Sequence, residues 1–283
     1  MALMFCLLIP IAGLKAQVAT LDQTLQFKWR GMPVATIDVK VSLPVPDHQA
    51  LVSSASPPSV WPKTLIEVTG RTKGPLRLVE DYRATVKYVQ LDATGKNAMT
   101  LIGLDNGESE QRKIIFAPNL MPKVSIFKDS TANKALQPQA ANTSNPLSAF
   151  KLMLESGING RECAAQIWGY DGKRQYLLRL EPSEAGAFLA ESSADGKLLE
   201  GEIARRYVCK IAMYVEGSQN AGSNSKPSMF GSLMAALWPF GGGDRELSFD
   251  FWVIVNLDEG SAIRLMFNEI QVATPLGAIV GSS

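Results

Sequence analysis

The stretch "GRECAAQIWGYDGKRQYLLRLEP", residues 160–182, decides the reading of the fold. Two β-like runs, "AAQIWGY" and "KRQYLLRLE", meet at Asp171-Gly172. Asp-Gly between such runs is a strong hairpin signal, because both positions of a tight two-residue turn want φ > 0. Cys163 stands at the head of this hairpin, and Cys209 lies at the centre of the next long run, "ARRYVCKIAMYVEG". The pattern predicts neighbouring antiparallel strands, with two cysteines positioned to fasten one β layer.

Strand signals continue on both sides. "LQFKW" and "VATIDVKVSL" flank Arg30-Gly31-Met32-Pro33, and Val34, Thr36, Asp38, Lys40 and Ser42 alternate with mostly apolar partners at the period of a half-buried strand. A proline-rich loop follows over 44–62. "TLIEVTGRT" resumes strand, and "GPLRLVEDYRATVKYVQLD" predicts a long run that bends or opens as helix. "AMTLIGL", "QRKIIF" and "KVSIF" are three more short runs. Residues 128–145 are polar and simple, which predicts a linker over the surface. "NPLSAFKLMLESG" then has helix logic, with Asn145 as N-cap, Pro146 at the first position and Gly157 at the end. Leu147, Phe150, Met153 and Leu154 recur on one face, so the helix is expected to plug or cover a curved sheet. After a polar insert over 218–244 come "RELSFDFWVIVNL", "SAIRLMFNEIQVA" and "PLGAIVGSS". About a dozen strands with one central helix predict a mainly β fold, a single strongly curved antiparallel sheet.

Composition narrows the function. The chain has 283 residues, of which 46% are apolar and 19% charged, enough for a sizeable core. Lys+Arg is 28 against Asp+Glu 27, so no net field steers the chain to nucleic acid or anionic lipid. The single histidine, His48, sits in the proline-rich loop without converging partners. No G-x-S-x-G elbow occurs, and "FGGGD" at 240–244 does not lead from a strand into a helix as a phosphate cradle does. Glu67, Glu80 and Asp81 are close in sequence and read as surface carboxylates. These features point away from an enzyme and imply no cofactor or metal.

The first residues, "MALMFCLLIPIAGLKAQVAT", carry an uncharged apolar run over 2–14, the length of a secretory h-region and too short to span a bilayer. Ala16 and Ala19 offer small residues for cleavage. The expectation is a signal peptide over 1–19, a single domain over 20–283, export, and no transmembrane segment in the mature chain; the rival reading is a buried N-terminal strand or helix. Loss of the leader removes Cys6 and leaves Cys163 and Cys209 in a compartment that permits disulfides. Two cysteines and one histidine cannot complete a four-ligand zinc site. The pair is read as a structural disulfide, whose long loop contributes roughly 4 kcal/mol in the chain-entropy view.

One insert segment stands out. "KPSMFGSLMAALWPFGGG" places Met229, Phe230, Leu233, Met234, Leu237, Trp238 and Phe240 mostly on one side of a short helix. Two readings remain open: a cap folded over the barrel mouth, or an exposed apolar contact for an envelope protein or lipid.

The succession "NPLSAF", Cys163, "GYDGKRQYLLRL", "YVCKIAMYVEG" and "VATPLGAIV" resembles the exported bacterial proteins of domain-of-unknown-function family 3108, in their alphaproteobacterial form. In that form a cysteine precedes a "DG+R" hairpin and a second sits in a "C.V.Y" strand followed by glycine. The likeness covers about residues 25–280, with Trp29 and Gly31 matching in the first half; the long 218–244 insert and the 44–62 loop depart from it. The resemblance implies a periplasmic β-spiral or open barrel, similar in shape to lipoprotein carriers and envelope-integrity proteins, with an apolar concavity. The expected function is a non-enzymatic periplasmic protein that supports the cell envelope by binding an apolar ligand or protein partner at the curved sheet. The alternative is a carrier or chaperone of lipid or lipidated cargo.

Overall fold

Ala19, Leu21, Leu25 and Phe27 are buried while Thr20, Asp22, Thr24 and Gln26 are exposed, so strict alternation builds the first strand, β1 (Gln17–Trp29). The same period runs through β2 (Met32–Val45), β3 (Leu65–Thr72), β4 (Tyr82–Gln90), β5 (Asn97–Asp105) and β6 (Glu108–Phe116), with the short helix α1 (Gly74–Val79) between β3 and β4, and a register shift at Ser125 interrupts it in β7 (Lys123–Lys128). Helix α2 (Leu147–Asn159) leads to β8 (Ala165–Tyr170), β9 (Gln175–Pro182), β10 (Leu189–Ala190), β11 (Glu202–Glu216), β12 (Arg245–Asn256), β13 (Ile263–Thr274) and β14 (Gly277–Ser282). This computed structural model describes residues 17–45, 63–79, 81–129, 134–135, 137, 141–159, 164–173, 175–182, 189–190, 202–216, 245–256, 263–274 and 277–282, with most side chains described up to residue 180.

The described strands form one sheet in the order β7-β6-β5-β4-β3-β2-β1-β14-β13-β12-β11-β9-β8, with β10 beside β11. Its ladders are antiparallel. Two meanders are therefore joined back to back where β1 meets β14, at Gln26↔Ser282, Phe27↔Gly281 and Lys28↔Val280. The end strands β7 and β8 share no ladder, so the sheet is curved and open rather than a closed barrel.

The chain must nevertheless pass from β7 to β8, between opposite ends of the sheet, and it does so because the sheet rolls. Gly70, Ala84 and Gly103 stand side by side on consecutive strands of the core-facing surface. A Cβ on Gly103 would lie 2.9 Å from the Ala84 Cβ, so the strands curl where side-chain bulk is absent. At the other end, the β8–β9 hairpin tip reaches the core-facing side of β6–β7. A Cβ on Gly172 would meet Ile114 Cδ1 at 3.3 Å and Phe127 Cδ2 at 3.5 Å.

Helix α2 fills the roll. Asn145 caps it as expected, its Oδ1 accepting from Leu147 N–H at 3.0 Å. Leu147, Ala149, Met153 and Leu154 are buried in the same cluster as Ile66, Val86, Met99, Ile114 and Tyr170. Each fully buried large side chain contributes about 1.5–3 kcal/mol relative to exposure. The helix runs past Gly157 to Asn159.

Two expectations change. The Asp171-Gly172 hairpin is present, but Tyr170↔Gln175 is the closing pair, so the loop spans 171–174 rather than two residues. Gly172 takes φ +89° while Asp171 has no positive φ; its carboxylate instead accepts from Lys173 N–H at 2.8 Å and turns toward a buried arginine. Among the described residues, the two-residue turns with both φ positive are Arg30-Gly31 and Asn106-Gly107. The polar segment over 128–145 is not a plain surface linker: Thr143 and Asn145 are buried, and Ser144 bridges Gly169 in parallel, exchanging backbone bonds with Trp168 and Tyr170. These contacts occupy the outer edge of β8, which otherwise exposes unpaired backbone groups.

Candidate functional site

Strand β6 carries Glu110, Arg112, Ile114 and Phe116 on its core-facing side, so two charged residues share the parity of the apolar ones. Arg112 meets carboxylates from three elements. Its Nη2 lies 3.5 Å from Glu110 Oε2 and donates to Asp129, which follows β7; its Nη1 lies 3.6 Å from Asp171 Oδ2 in the β8–β9 loop. Lys173 Nζ donates to Asp129 Oδ1 at 3.1 Å. Arg112 also rests 5.9 Å from the centre of the Phe127 ring. The side chains of Arg112, Glu110, Asp129 and Asp171 are at most 5% exposed.

Burial decides the electrostatics here. Desolvation alone would lower the Arg112 pKa, and Asp171, Asp129 and Glu110 together more than offset it, so the guanidinium stays charged. Glu110 is raised, first by burial, with Arg112 pulling it down and Asp129 pushing it up. Tyr170 is pushed up to about 12 by burial and then by Asp171. Tyr82 is raised by burial and then by Glu110. Enclosed between β6, β7 and the hairpin tip, the cluster has the form of a structural lock that joins the two ends of the rolled sheet. A buried ionic group of this kind specifies which surfaces meet more than it adds net stability.

The opposite, solvent-facing side of β4–β7 holds a groove of about 620 Å³. Cross-strand register lays its residues in rows: Arg83, Leu104 and Ser109 in one, Thr85, Ile102, Gln111 and Lys128 in the next, and Lys87 and Thr100 in a third, where Glu67 of β3 lines the rim and is taken up by Lys87. Ile102 is 56% exposed and Leu104 49%. Lys128 Nζ donates to Ser109 Oγ at 2.5 Å. Across β1–β4 the same outer face is neutralised by cross-strand ion pairs: Asp22–Lys40 at 3.2 Å, Asp38–Arg71 at 3.8 Å and Glu67–Lys87 at 2.7 Å. Arg83, Lys113, Lys123 and Lys128 pair with no carboxylate among the described residues.

The residues singled out from sequence fall elsewhere. Cys209 lies in β11 opposite Pro182 of β9 and Phe249 of β12. Cys163 lies outside the described residues. Ala165 and Ile211 are both partners of Leu180, so β8 and β11 stand two strand spacings apart, about 10 Å. A disulfide needs Cα atoms within about 7 Å. Where β9 lies between them, β8 and β11 are too far apart for a disulfide to join them directly. Met229, Phe230, Leu233, Leu237, Trp238 and Phe240 lie outside the described residues, as do His48 and residues 1–16 of the expected 1–19 leader, whose last three residues stand in β1. Glu67 and Asp81 are paired with Lys87 and Arg77. Among the described residues no helix is long and apolar enough to cross a membrane, and no group of His, Cys, Asp and Glu is arranged to hold a metal.

Sequence reasoning missed both the cluster and the groove. The cluster has a legible signal, since "ESEQRKIIF" places Glu110 and Arg112 in phase with Ile114 and Phe116. The groove has the converse signal, Ile102 and Leu104 out of phase with the core residues Met99 and Leu101. Comparisons with known protein families, with curated proteins and with solved structures find no match.

Proposed function

We propose that this chain is a non-enzymatic periplasmic protein that supports the cell envelope by binding a partner on its curved sheet. The observation that carries this reading is the outer groove of β4–β7, where Ile102 and Leu104 are exposed side by side. Large aliphatic side chains grouped on an otherwise polar sheet face mark an interaction surface, because their exposure costs free energy that contact recovers. Export is supported by the apolar leader-like run over 2–14, and the envelope role by the resemblance to family 3108. A Cys163–Cys209 disulfide in the exported protein ties the hairpin region to β11.

The concave side argues for the face rather than the interior as binding site in the described half. There α2 and packed side chains fill the roll, with Met153, Leu154 and Met99 at most 1% exposed. The carrier reading, in which lipid cargo enters the concavity, draws on the 218–244 insert as its gate.

The test is capture from a periplasmic extract by the tagged full chain, with lipids and proteins both identified by mass spectrometry. The parent should retain a specific ligand or partner that Ile102→Ser/Leu104→Ser loses while melting at the parent temperature. Retention by that variant sinks the assignment of the face.

A further inference from the structure

We infer that the outer face of β4–β7 docks on an anionic lipid surface, its cations meeting phosphate headgroups and its exposed aliphatic side chains, Ile102 and Leu104 foremost, entering the interfacial layer. This rests on the binding-face reading above and names the partner's chemistry. Charge is the first reason. The chain as a whole is nearly neutral, yet the outer face is divided. Its β1–β4 half closes Asp22–Lys40, Asp38–Arg71 and Glu67–Lys87 pairs, while its β4–β7 half presents Arg83, Lys113, Lys123 and Lys128 without carboxylate partners among the described residues. Such cations within a Debye length of an anionic leaflet are each attracted to it.

Spacing is the second reason. Arg83 on β4 and Lys128 on β7 are separated by three strand spacings, about 14 Å, with Ile102 and Leu104 between them at successive outward positions of β5, about 7 Å apart. That spread suits an array of headgroups better than a single small anion. Composition is the third. The cores of protein interfaces are depleted of lysine. This half-face carries four lysines in its outward register, Lys87 held by Glu67, and Lys113, Lys123 and Lys128 facing no carboxylate among the described residues. Short aliphatics between lysines and arginine match the boundary of headgroup and acyl chain, where apolar burial and attraction to anionic lipid act together.

The experiment is flotation of the full chain with vesicles of phosphatidylcholine alone or mixed with phosphatidylglycerol, at fixed ionic strength. Binding should require phosphatidylglycerol. Arg83→Ala/Lys128→Ala should weaken it about 25-fold, at about fivefold for each cation removed, and Ile102→Ser/Leu104→Ser should weaken it as well. Lys40→Ala, on the ion-paired half, should bind as the parent does, and the variants should keep the parent's melting temperature. Binding that is independent of phosphatidylglycerol, or unchanged in Arg83→Ala/Lys128→Ala, overturns the inference. So does loss of binding to millimolar inorganic phosphate at constant ionic strength, which would mark a site for a free anion. Retention of polyglutamate with no vesicle binding would point to an acidic protein instead. If capture of a periplasmic partner depends on Ile102 and Leu104 while vesicles do not bind, the lipid assignment falls and the binding face stands; if neither responds to those two residues, both fall.

Discussion

Replacing Arg112 by methionine removes the cation shared by Glu110, Asp129 and Asp171 while keeping most of the side-chain volume. The guanidinium and all three carboxylates are nearly inaccessible, and after substitution Lys173 still reaches Asp129. Removing one partner of a buried ionic group costs about 3–5 kcal/mol, because charges are left in a poorly polarisable interior. At about 2–4 °C per kcal/mol for a large domain, the melting temperature should fall by about 6–20 °C. The loss should depend on pH. Glu110 already has a folded pKa above its ordinary value, chiefly through burial, so the folded state holds its proton more readily than the unfolded state. Its effect on stability becomes more favourable as pH falls toward the folded pKa and less favourable as pH rises through it. Arg112 pulls that pKa down, so without the arginine Glu110 moves further up and takes a proton sooner. Urea unfolding followed by circular dichroism should therefore show a larger penalty for Arg112→Met at about pH 7 than at about pH 5. Asp171→Asn should recover part of the loss in the Arg112→Met background and destabilise the parent, a coupling of about 0.5–3 kcal/mol in a double-mutant cycle. A penalty below about 1 kcal/mol at neutral pH, or one that grows in acid, would refute the view that a buried ionic lock joins the sheet ends.

Non-reducing peptide mapping of periplasmic material should find Cys163 joined to Cys209, and Cys209→Ser should cost about 2–5 kcal/mol; two free thiols would overturn the pairing. Amino-terminal sequencing of the same material should place the mature start between Gln17 and Gln23, with Gln17 preferred because Gln17, Val18 and Ala19 already pair with Val45, Pro44 and Leu43. Leu154→Ala should lower stability by about 2–5 kcal/mol by opening a cavity between α2 and the sheet, read from the urea midpoint. Gly172→Ala should destabilise as well, since the residue has φ +89° and its Cβ would press on Ile114; an unchanged melting temperature would show that the hairpin tip does not lie against β6–β7.

Local order was legible because its causes are local. Asn145-Pro146 announces the start of α2 through the carboxamide that accepts from Leu147 N–H, whatever the helix later packs against. The alternation in "VATIDVKVSL" assigns one face of β2 to the core before any neighbour is known. Asn106-Gly107 encodes its turn as plainly as Arg30-Gly31 does, both pairs taking positive φ. Asp171-Gly172 shows where this logic stops. The pair predicts a hairpin and a hairpin forms, but Asp171 is drawn to Arg112, 59 residues earlier, and the tight turn opens into a loop. Pairing partners across such a separation depend on how far the sheet curls, and the curl depends on Gly70, Ala84 and Gly103 standing in one row, which is a property of register across three strands. The outer face follows the same rule. Counting charges yields near neutrality, whereas register decides which cations face a carboxylate and which are left to the solvent beside Ile102 and Leu104. Turns and faces are written in neighbouring residues; the lock and the groove exist only once distant strands have been brought alongside one another.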